Sequence, residues 1–153
     1  METINKIEKL SKNKEKLLSL EKENKYLFHG SPDTIDTLEP RQPFNNKEEY
    51  GSPSVCATPF VNIAIFRSLI HKNNLSLKEN SQSSFGIKNN EISFSTTKNL
   101  FETAKLSKGK VYILDKNKFK KFNDMEYRSE ESIKPLEFIE VDFNDLPKGI
   151  KIN

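Results

Sequence analysis

Three residue types suited to holding a small polar ligand follow one another in the run Tyr26-Leu27-Phe28-His29-Gly30-Ser31. The run offers an imidazole at His29, a position without a side chain at Gly30 and a hydroxyl at Ser31. Glycine lets the main-chain N–H and C=O come close to a ligand, because it has no Cβ in the way. The aromatic and apolar residues before His29 predict a short strand over 25–29. We therefore expect a site at a strand end for a flat ligand that carries an amide.

A second apolar run can supply a strand beside the first one. Ser54–Ala57 predicts a buried strand, and Thr58-Pro59 predicts a helix start, with Thr58 as its cap and Pro59 in the first turn. Apolar residues then repeat at helical spacing as far as about His71. They are Ile63, Phe66, Leu69 and Ile70.

The remaining elements are mostly strands joined by loops. Residues 3–25 predict a charged helix with a broken apolar stripe, which favours packing on its own domain and leaves self-association as an alternative. Residues 41–53 and 72–90 predict loops. Asp115–Lys121 predicts a short helical turn that brings Phe119 and Phe122 onto the core. Further strands are predicted at 91–95, 110–114, from 126, and at 136–143. This order favours a largely antiparallel α+β domain over a parallel sheet.

Composition limits the classes of protein to which the chain can belong. It has 153 residues, a formal net charge of +3 and a single cysteine, Cys56. One cysteine excludes an internal disulfide and a cysteine-cluster metal site. The N-terminal residues lack the pattern of a signal peptide, and no apolar run has the length of a membrane span. We expect a cytoplasmic protein without a membrane partner.

Three separated motifs resemble the ADP-ribosyltransferase superfamily, specifically its diphtheria-toxin-like and poly(ADP-ribose) polymerase-like branch. The first is Leu27–Ser31, the second runs from Gly51 to Phe66, and the third is Glu126-Tyr127 followed by 134–141. The resemblance implies an α+β fold in which split antiparallel sheets enclose an NAD cleft. It implies a charged N-terminal helix at 1–25 followed by an ADP-ribosyltransferase-like domain at 26–153.

The family's functional residues correspond to particular positions of this chain. In the family the histidine hydrogen-bonds the nicotinamide ribose, and the glycine clamps the carboxamide through its backbone. The resemblance gives these roles to His29 and Gly30, with Ser31 as a helper, and the stacking on nicotinamide to Phe66. The catalytic glutamate corresponds to Glu126. The segment that follows Glu126 is slightly shorter than in the family, which keeps Glu130 and Glu131 as alternative acids.

Two positions depart from the family pattern. A tyrosine of the family falls on Val55 in the cofactor pocket, and a serine that often bonds the carboxamide falls on Ile63. Arg41, in the polar loop, is a candidate for bidentate contact with the pyrophosphate. The scheme requires NAD as a substrate and no metal.

The reaction expected is transfer of one ADP-ribose from NAD to an unknown protein or nucleic-acid acceptor. A carboxylate near the ribose favours the oxocarbenium-like transition state, because positive charge grows on the sugar as nicotinamide leaves. Two alternatives remain open at this point. The first alternative is a catalytically inactive module that binds NAD or ADP-ribose on the same fold. The second is an enzyme like the RNA 2′-phosphotransferases.

Each candidate residue also has a structural interpretation. Taken alone, His29 is typical of a histidine that bonds backbone, Gly30 of a turn glycine and Ser31 of a turn cap. Phe66 repeats with Ile63 and Ile70, which favours core packing. Glu126 lies in an acidic stretch of the kind that often forms a solvated face.

Overall fold

The computed structural model describes residues 10–41, 52–71 and 80–153. Within these residues the chain forms three α-helices and nine strands. The helices are α1 (Lys12–Lys22), α2 (Val61–Leu69) and α3 (Lys98–Ala104). The strands are β1 (Tyr26–Ser31), β2 (Val55–Ala57), β3 (Ser83–Lys88), β4 (Glu91–Thr96), β5 (Lys108–Asp115), β6 (Lys120–Lys121), β7 (Tyr127–Ser129), β8 (Glu137–Asp142) and β9 (Lys151–Ile152). Short 3-10 turns lie at Lys116–Lys118 and Phe143–Asp145.

The strands form three small sheets of three strands each, in the orders β1-β5-β8, β2-β7-β6 and β3-β4-β9. Neighbouring strands are antiparallel except β4 and β9, which are parallel. The predicted α+β class with largely antiparallel pairing is therefore confirmed. The first two sheets meet at one point, where Phe28 of β1 and Thr58, just after β2, exchange two backbone hydrogen bonds of 2.8 and 2.9 Å.

Helix α2 packs across the first sheet at unusually short range. A Cβ atom at Gly30 of β1 would lie 1.8 Å from the backbone oxygen of Ala64, and one at Gly109 of β5 would lie 2.2 Å from the hydroxyl of Ser68. The two glycines lie on neighbouring strands, so together they admit the helix backbone. Apolar residues of α2, β1, β5 and β8 form the main core beneath it.

Helix α1 belongs to the same core. Leu17 is fully buried in it, and Ser11 caps the helix by accepting from the N–H of Lys14. The carboxylate of Glu21 accepts a 2.7 Å hydrogen bond from the N–H of Val61, so α1 also caps the first turn of α2. The predicted helix over 3–25 is confirmed from Lys12 to Lys22, and residues 1–9 lie outside the described residues.

Several sequence predictions need correction. Strand β3 lies inside the predicted loop 72–90, whose residues 72–79 are outside the described ranges. Thr58 does not cap α2; its hydroxyl accepts from the N–H of Phe60, which is the residue that precedes the helix. Phe119 is buried as predicted, but Phe122 is 50% exposed, because it follows β6 into an outward turn.

Candidate functional site

An opening separates β1 from β2 beyond their single meeting point. Phe28 pairs with Thr58 at one end of it, and Arg41 pairs with Ser54 at the other. In an antiparallel arrangement Gly30 would pair next with Cys56, but the structure has no pairing there. The sheet is therefore split between Gly30 and Cys56.

The split leaves the backbone of Gly30 available to a ligand. The N–H and C=O of one residue in an antiparallel strand point to the same side, and alternate residues point to opposite sides. Phe28 directs both groups toward Thr58, so Gly30, two residues on, directs both into the opening. Among the described residues these two groups have no hydrogen-bond partner. They form one donor and one acceptor side by side, which matches a primary carboxamide.

The imidazole of His29 crosses the split. Its Nδ1 lies 2.8 Å from the backbone oxygen of Cys56. Burial lowers the pKa of His29 below its usual range, and the charges of Arg67 and Arg41 lower it further, against the raising effect of the bond to Cys56. A neutral ring that donates from Nδ1 carries its lone pair on Nε2. His29 therefore presents a hydrogen-bond acceptor to the cleft.

Glu126 lies on the opposite side of the split. It ends a tight turn, in which its backbone oxygen accepts from the N–H groups of Phe122 and Asn123 at 2.9 and 3.0 Å. Its side chain contacts Cys56, whose pKa is raised to about 11 by burial first, and then by the charge of Glu126 and by hydrogen bonding to it. Cys56 thus contacts His29 through its carbonyl and Glu126 through its thiol.

Two cavities meet at this point. The inner cavity, of about 500 Å³ including space open to solvent, is lined by His29, Gly30, Cys56, Ala57, Thr58, Ile63, Ala64, Arg67, Phe85, Asn123, Met125 and Glu126. The outer cavity, of about 1160 Å³ on the same measure, is lined by His29, Ser31, Asp33, Ile35, Thr37, Leu38, Glu39, Arg41, Ser54, Val55, Cys56 and Arg67. His29, Cys56 and Arg67 line both, so the two cavities form one groove.

The groove has a cationic middle section. Arg41 and Arg67 both lower the pKa of His29 by their charge, which places both near the imidazole. Neither arginine has an ion pair with a carboxylate in the described parts of the chain. Guanidinium groups without a carboxylate partner favour a phosphate or a diphosphate at this point of the groove.

The structure brings most of the predicted site residues together. His29, Gly30 and Glu126 line the inner cavity, and Ser31, Arg41 and Val55 join His29 in the outer one. The hydroxyl of Ser31 accepts from the N–H of Asp33, which is the capping contact that its sequence context also predicted. Gly51, the first residue of the second motif, lies outside the described residues.

Three predicted residues lie elsewhere. Phe66 is 1% exposed and packs in the core against Phe94, with 4.9 Å between ring centroids, so it has no free face for a ligand. We correct its assignment for that reason. Glu130 and Glu131 are exposed and line neither cavity of the groove. Of the three candidate acids, only Glu126 shares a cavity with His29.

Sequence reasoning missed three residues of the groove. Phe85 reaches the inner cavity from β3, Arg67 lies one position after Phe66 on the outer side of α2, and Cys56 connects the two halves. The guanidinium carbon of Arg67 lies 6.0 Å from the centroid of Phe85. The scarcity of arginine, with only three in the chain, was a usable signal for Arg67.

Comparison with protein families, with curated proteins and with solved structures gives no match for this chain. Among the described residues, no helix is long and apolar enough to span a membrane, and no group of three or more His, Cys, Asp and Glu side chains is arranged to hold a metal ion.

Proposed function

We propose that this chain is an NAD-dependent mono-ADP-ribosyltransferase, built on an ADP-ribosyltransferase-like α+β fold and acting on a protein or nucleic-acid acceptor. The observation that carries the proposal is the convergence of His29, Gly30 and Glu126 on the inner cavity. They come from the first and third motifs of the sequence, about a hundred residues apart. His29 and Gly30 are consecutive residues of β1, and Glu126 comes from the turn before β7, so two distant parts of the chain supply this one cavity.

The inner cavity suits the nicotinamide end of NAD. The N–H and C=O of Gly30, for which the described ranges offer no hydrogen-bond partner, match the carbonyl and amino groups of a carboxamide. Phe85 supplies an aromatic ring at the cavity wall, in the role that the family resemblance implied for Phe66. Nε2 of His29 is available to accept a hydrogen bond from a ribose hydroxyl.

The outer cavity suits the ADP end. Arg67 lines both cavities and Arg41 lines the outer one, and the charges of both act on His29, so a diphosphate held by these two arginines would join a nicotinamide riboside inside to an adenosine outside. Val55 and Leu38 add apolar lining, and both are buried in a second hydrophobic cluster behind the cavity. Polar and charged residues form most of the remaining lining, which suits the hydroxyl and phosphate groups of an ADP moiety.

Glu126 is the proposed catalytic residue. The bond between the ribose carbon and the nicotinamide nitrogen breaks, the electron pair leaves with nicotinamide, and positive charge grows on the sugar. A carboxylate held in place stabilises that charge more in the transition state than in the ground state. The acceptor then forms a bond to the same carbon and loses its proton to solvent.

Incubation with NAD labelled in the adenylate part tests the proposal. We expect release of nicotinamide and label on an acceptor when the protein is offered a cell extract, separate RNA and DNA pools, and itself. E126Q should reduce nicotinamide release by about 100- to 1000-fold, since one well-placed electrostatic contact contributes about that much. E130Q is the matched control, because Glu130 lies outside the groove, and it should keep the wild-type rate.

A non-catalytic NAD-binding module is the second candidate, and Ile63 is the observation that favours it. Ile63 lines the inner cavity where the family often has a hydroxyl for the carboxamide. Calorimetric titration with NAD and with ADP-ribose separates the two candidates. Tight binding of either ligand with no nicotinamide release in any acceptor pool would favour the binding module, and absence of binding to both would contradict both.

A further inference from the structure

Arg128 holds the Glu126 side chain in a fixed setting. Its Nε donates to Oε2 of Glu126 at 2.5 Å, a charge-assisted contact in which the arginine side chain is 12% exposed and the glutamate 28%. The guanidinium carbon also lies 3.5 Å from the centroid of the Phe122 ring, which is within stacking distance. Arg128 is therefore held by Phe122 at the start of the turn and holds Glu126 at its end.

The backbone of the turn reinforces this arrangement. The oxygen of Glu126 accepts from the N–H groups of Phe122 and Asn123, so the turn is closed before Arg128 adds its contact. Arg128 itself lies on the middle strand of its sheet, opposite Cys56 on one side and Lys120 on the other. A side chain anchored on a central strand is a rigid support for a carboxylate on a turn.

The charged and titratable groups near Glu126 come from four elements. They are His29 on β1, Cys56 on β2, Arg67 on α2 and Arg128 on β7. Of these, Arg128 is the group with an ion pair to Glu126 among the described residues. Without it, the carboxylate would still hydrogen-bond the thiol of Cys56, which would then set its position.

We propose that Arg128 is a positioning residue, which fixes the Glu126 carboxylate in the orientation that the inner cavity requires. The name of the reaction rests on the proposed function, whereas the orienting contact rests on the geometry alone. Arg128 acts through Glu126 and lines neither the inner nor the outer cavity.

An arginine is required for this role. Its Nε donates along one direction while its plane stacks on Phe122, and the ammonium group of a lysine offers neither the plane nor that direction. R128K therefore tests geometry at constant charge, and R128Q removes the charge. K120Q is the matched control, because it removes a neighbouring cation on the same sheet, whereas the ion pair of Glu126 in the described part of the chain is with Arg128.

Steady-state nicotinamide release gives the first measurement. We expect R128Q to lower kcat by about 100-fold, since misplacing a catalytic group by about 1 Å has that effect, while KM for NAD changes less than about 3-fold. The kcat of R128K should stay at least about 10-fold below that of the wild type. The kcat of K120Q should equal that of the wild type. Full activity in R128K would overturn the proposal, as would a loss confined to KM.

The ionisation of Cys56 gives a second measurement that needs no turnover. Cys56 is the single cysteine of the chain, so the pH dependence of its reaction with a disulfide reagent reports its thiol pKa. We compare wild type, E126Q, R128Q and E126Q/R128Q as a double-mutant cycle. If Arg128 orients Glu126, R128Q should change the thiol pKa at least twice as much in the wild-type background as in the E126Q background.

The two measurements separate the possible failures. If R128Q changes the thiol pKa equally in the wild-type and E126Q backgrounds, Arg128 acts on Cys56 directly and does not position Glu126. That result overturns the inference. An unequal change with no NAD turnover in wild type keeps the positioning contact and rejects the proposed reaction. Thermal unfolding is recorded for each variant, and if R128Q does not fold, R128K carries both measurements.

Discussion

Nδ1 of His29 donates a 2.8 Å hydrogen bond to the backbone oxygen of Cys56, across the gap between β1 and β2. The bond fixes the tautomer of the ring and occupies the carbonyl that would otherwise pair with Gly30. It thereby links two features of the groove: an acceptor nitrogen facing the ligand and an unpaired glycine backbone beside it.

The first prediction concerns Gly30. A methyl group at this position would lie 1.8 Å from the backbone oxygen of Ala64, so α2 would have to move. We expect G30A to lower the free energy of unfolding by about 1–3 kcal/mol, as overpacking does, and to weaken NAD binding with it. G86A is the control, since no atom lies within 4 Å of its added methyl group. Urea unfolding of both variants measures this, and equal stabilities would show that α2 does not require the glycine.

The second prediction is a pH dependence set by His29. Burial lowers its pKa in the folded protein, so the unfolded chain binds a proton more readily, near pH 6.5. The stability contributed by the neutral ring is complete above about pH 6.5 and is lost as the pH falls below that value. In urea unfolding, the free energy of unfolding of H29Q should fall less between pH 7.5 and pH 5 than that of the wild type.

NAD affinity separates His29 from the other histidine. H29Q should weaken NAD binding about tenfold, the effect of one hydrogen bond, whereas H71Q should leave it unchanged. The pKa of His71 is also lowered, mainly by burial, so H71Q shares the effect on stability without the effect on binding. Equal losses of affinity in the two variants would contradict the assignment of His29 to the groove.

The third prediction concerns the thiol of Cys56. With a pKa of about 11 instead of 9.0, it should react with a disulfide reagent at pH 8 about 100-fold more slowly than an unperturbed thiol, in proportion to its thiolate fraction. E126Q should accelerate the reaction, because the carboxylate raises the thiol pKa, and E130Q should not. A thiol that reacts at the same rate in wild type and E126Q would place Glu126 away from Cys56.

The fourth prediction distinguishes two aromatic rings. F66A should lower the free energy of unfolding by about 3–5 kcal/mol, because Phe66 is buried in the main core. F85A should affect stability less, since Phe85 is only half-buried, and should weaken NAD binding by about 1 kcal/mol through the lost ring contact. Calorimetry and thermal unfolding of both variants check the exchange of roles. Normal NAD binding by F85A would remove Phe85 from the site.

The sequence predicted the elements whose hydrophobic pattern is strong. The strand predicted over 25–29, the strand predicted over Ser54–Ala57 and the helix after Pro59 have clear apolar runs, and the structure has each of them, although the first strand continues past His29 to Ser31. Glu126 could be placed because a strand begins directly after it. These local signals were enough to bring the two ends of the site together.

The rest depended on information that is not local. Strand β3 is mostly polar, with Phe85 and Ile87 among Ser, Gly and Lys, so it resembles a loop until β4 pairs with it. Phe66 has helical spacing with Ile63 and Ile70, and that spacing places the three on one face without deciding whether the face meets a ligand or the core. The structure decides for each residue, since Ile63 also reaches the cavity and Phe66 packs on Phe94.

A crystal structure of E126Q soaked with NAD tests the shared cleft most directly. We expect the carboxamide on the N–H and C=O of Gly30, a ribose hydroxyl on Nε2 of His29, the ring beside Phe85 and the diphosphate between Arg41 and Arg67. Nicotinamide bound away from Gly30 would contradict the shared cleft. So would NAD bound in a place where His29 and residue 126 do not line the same cavity.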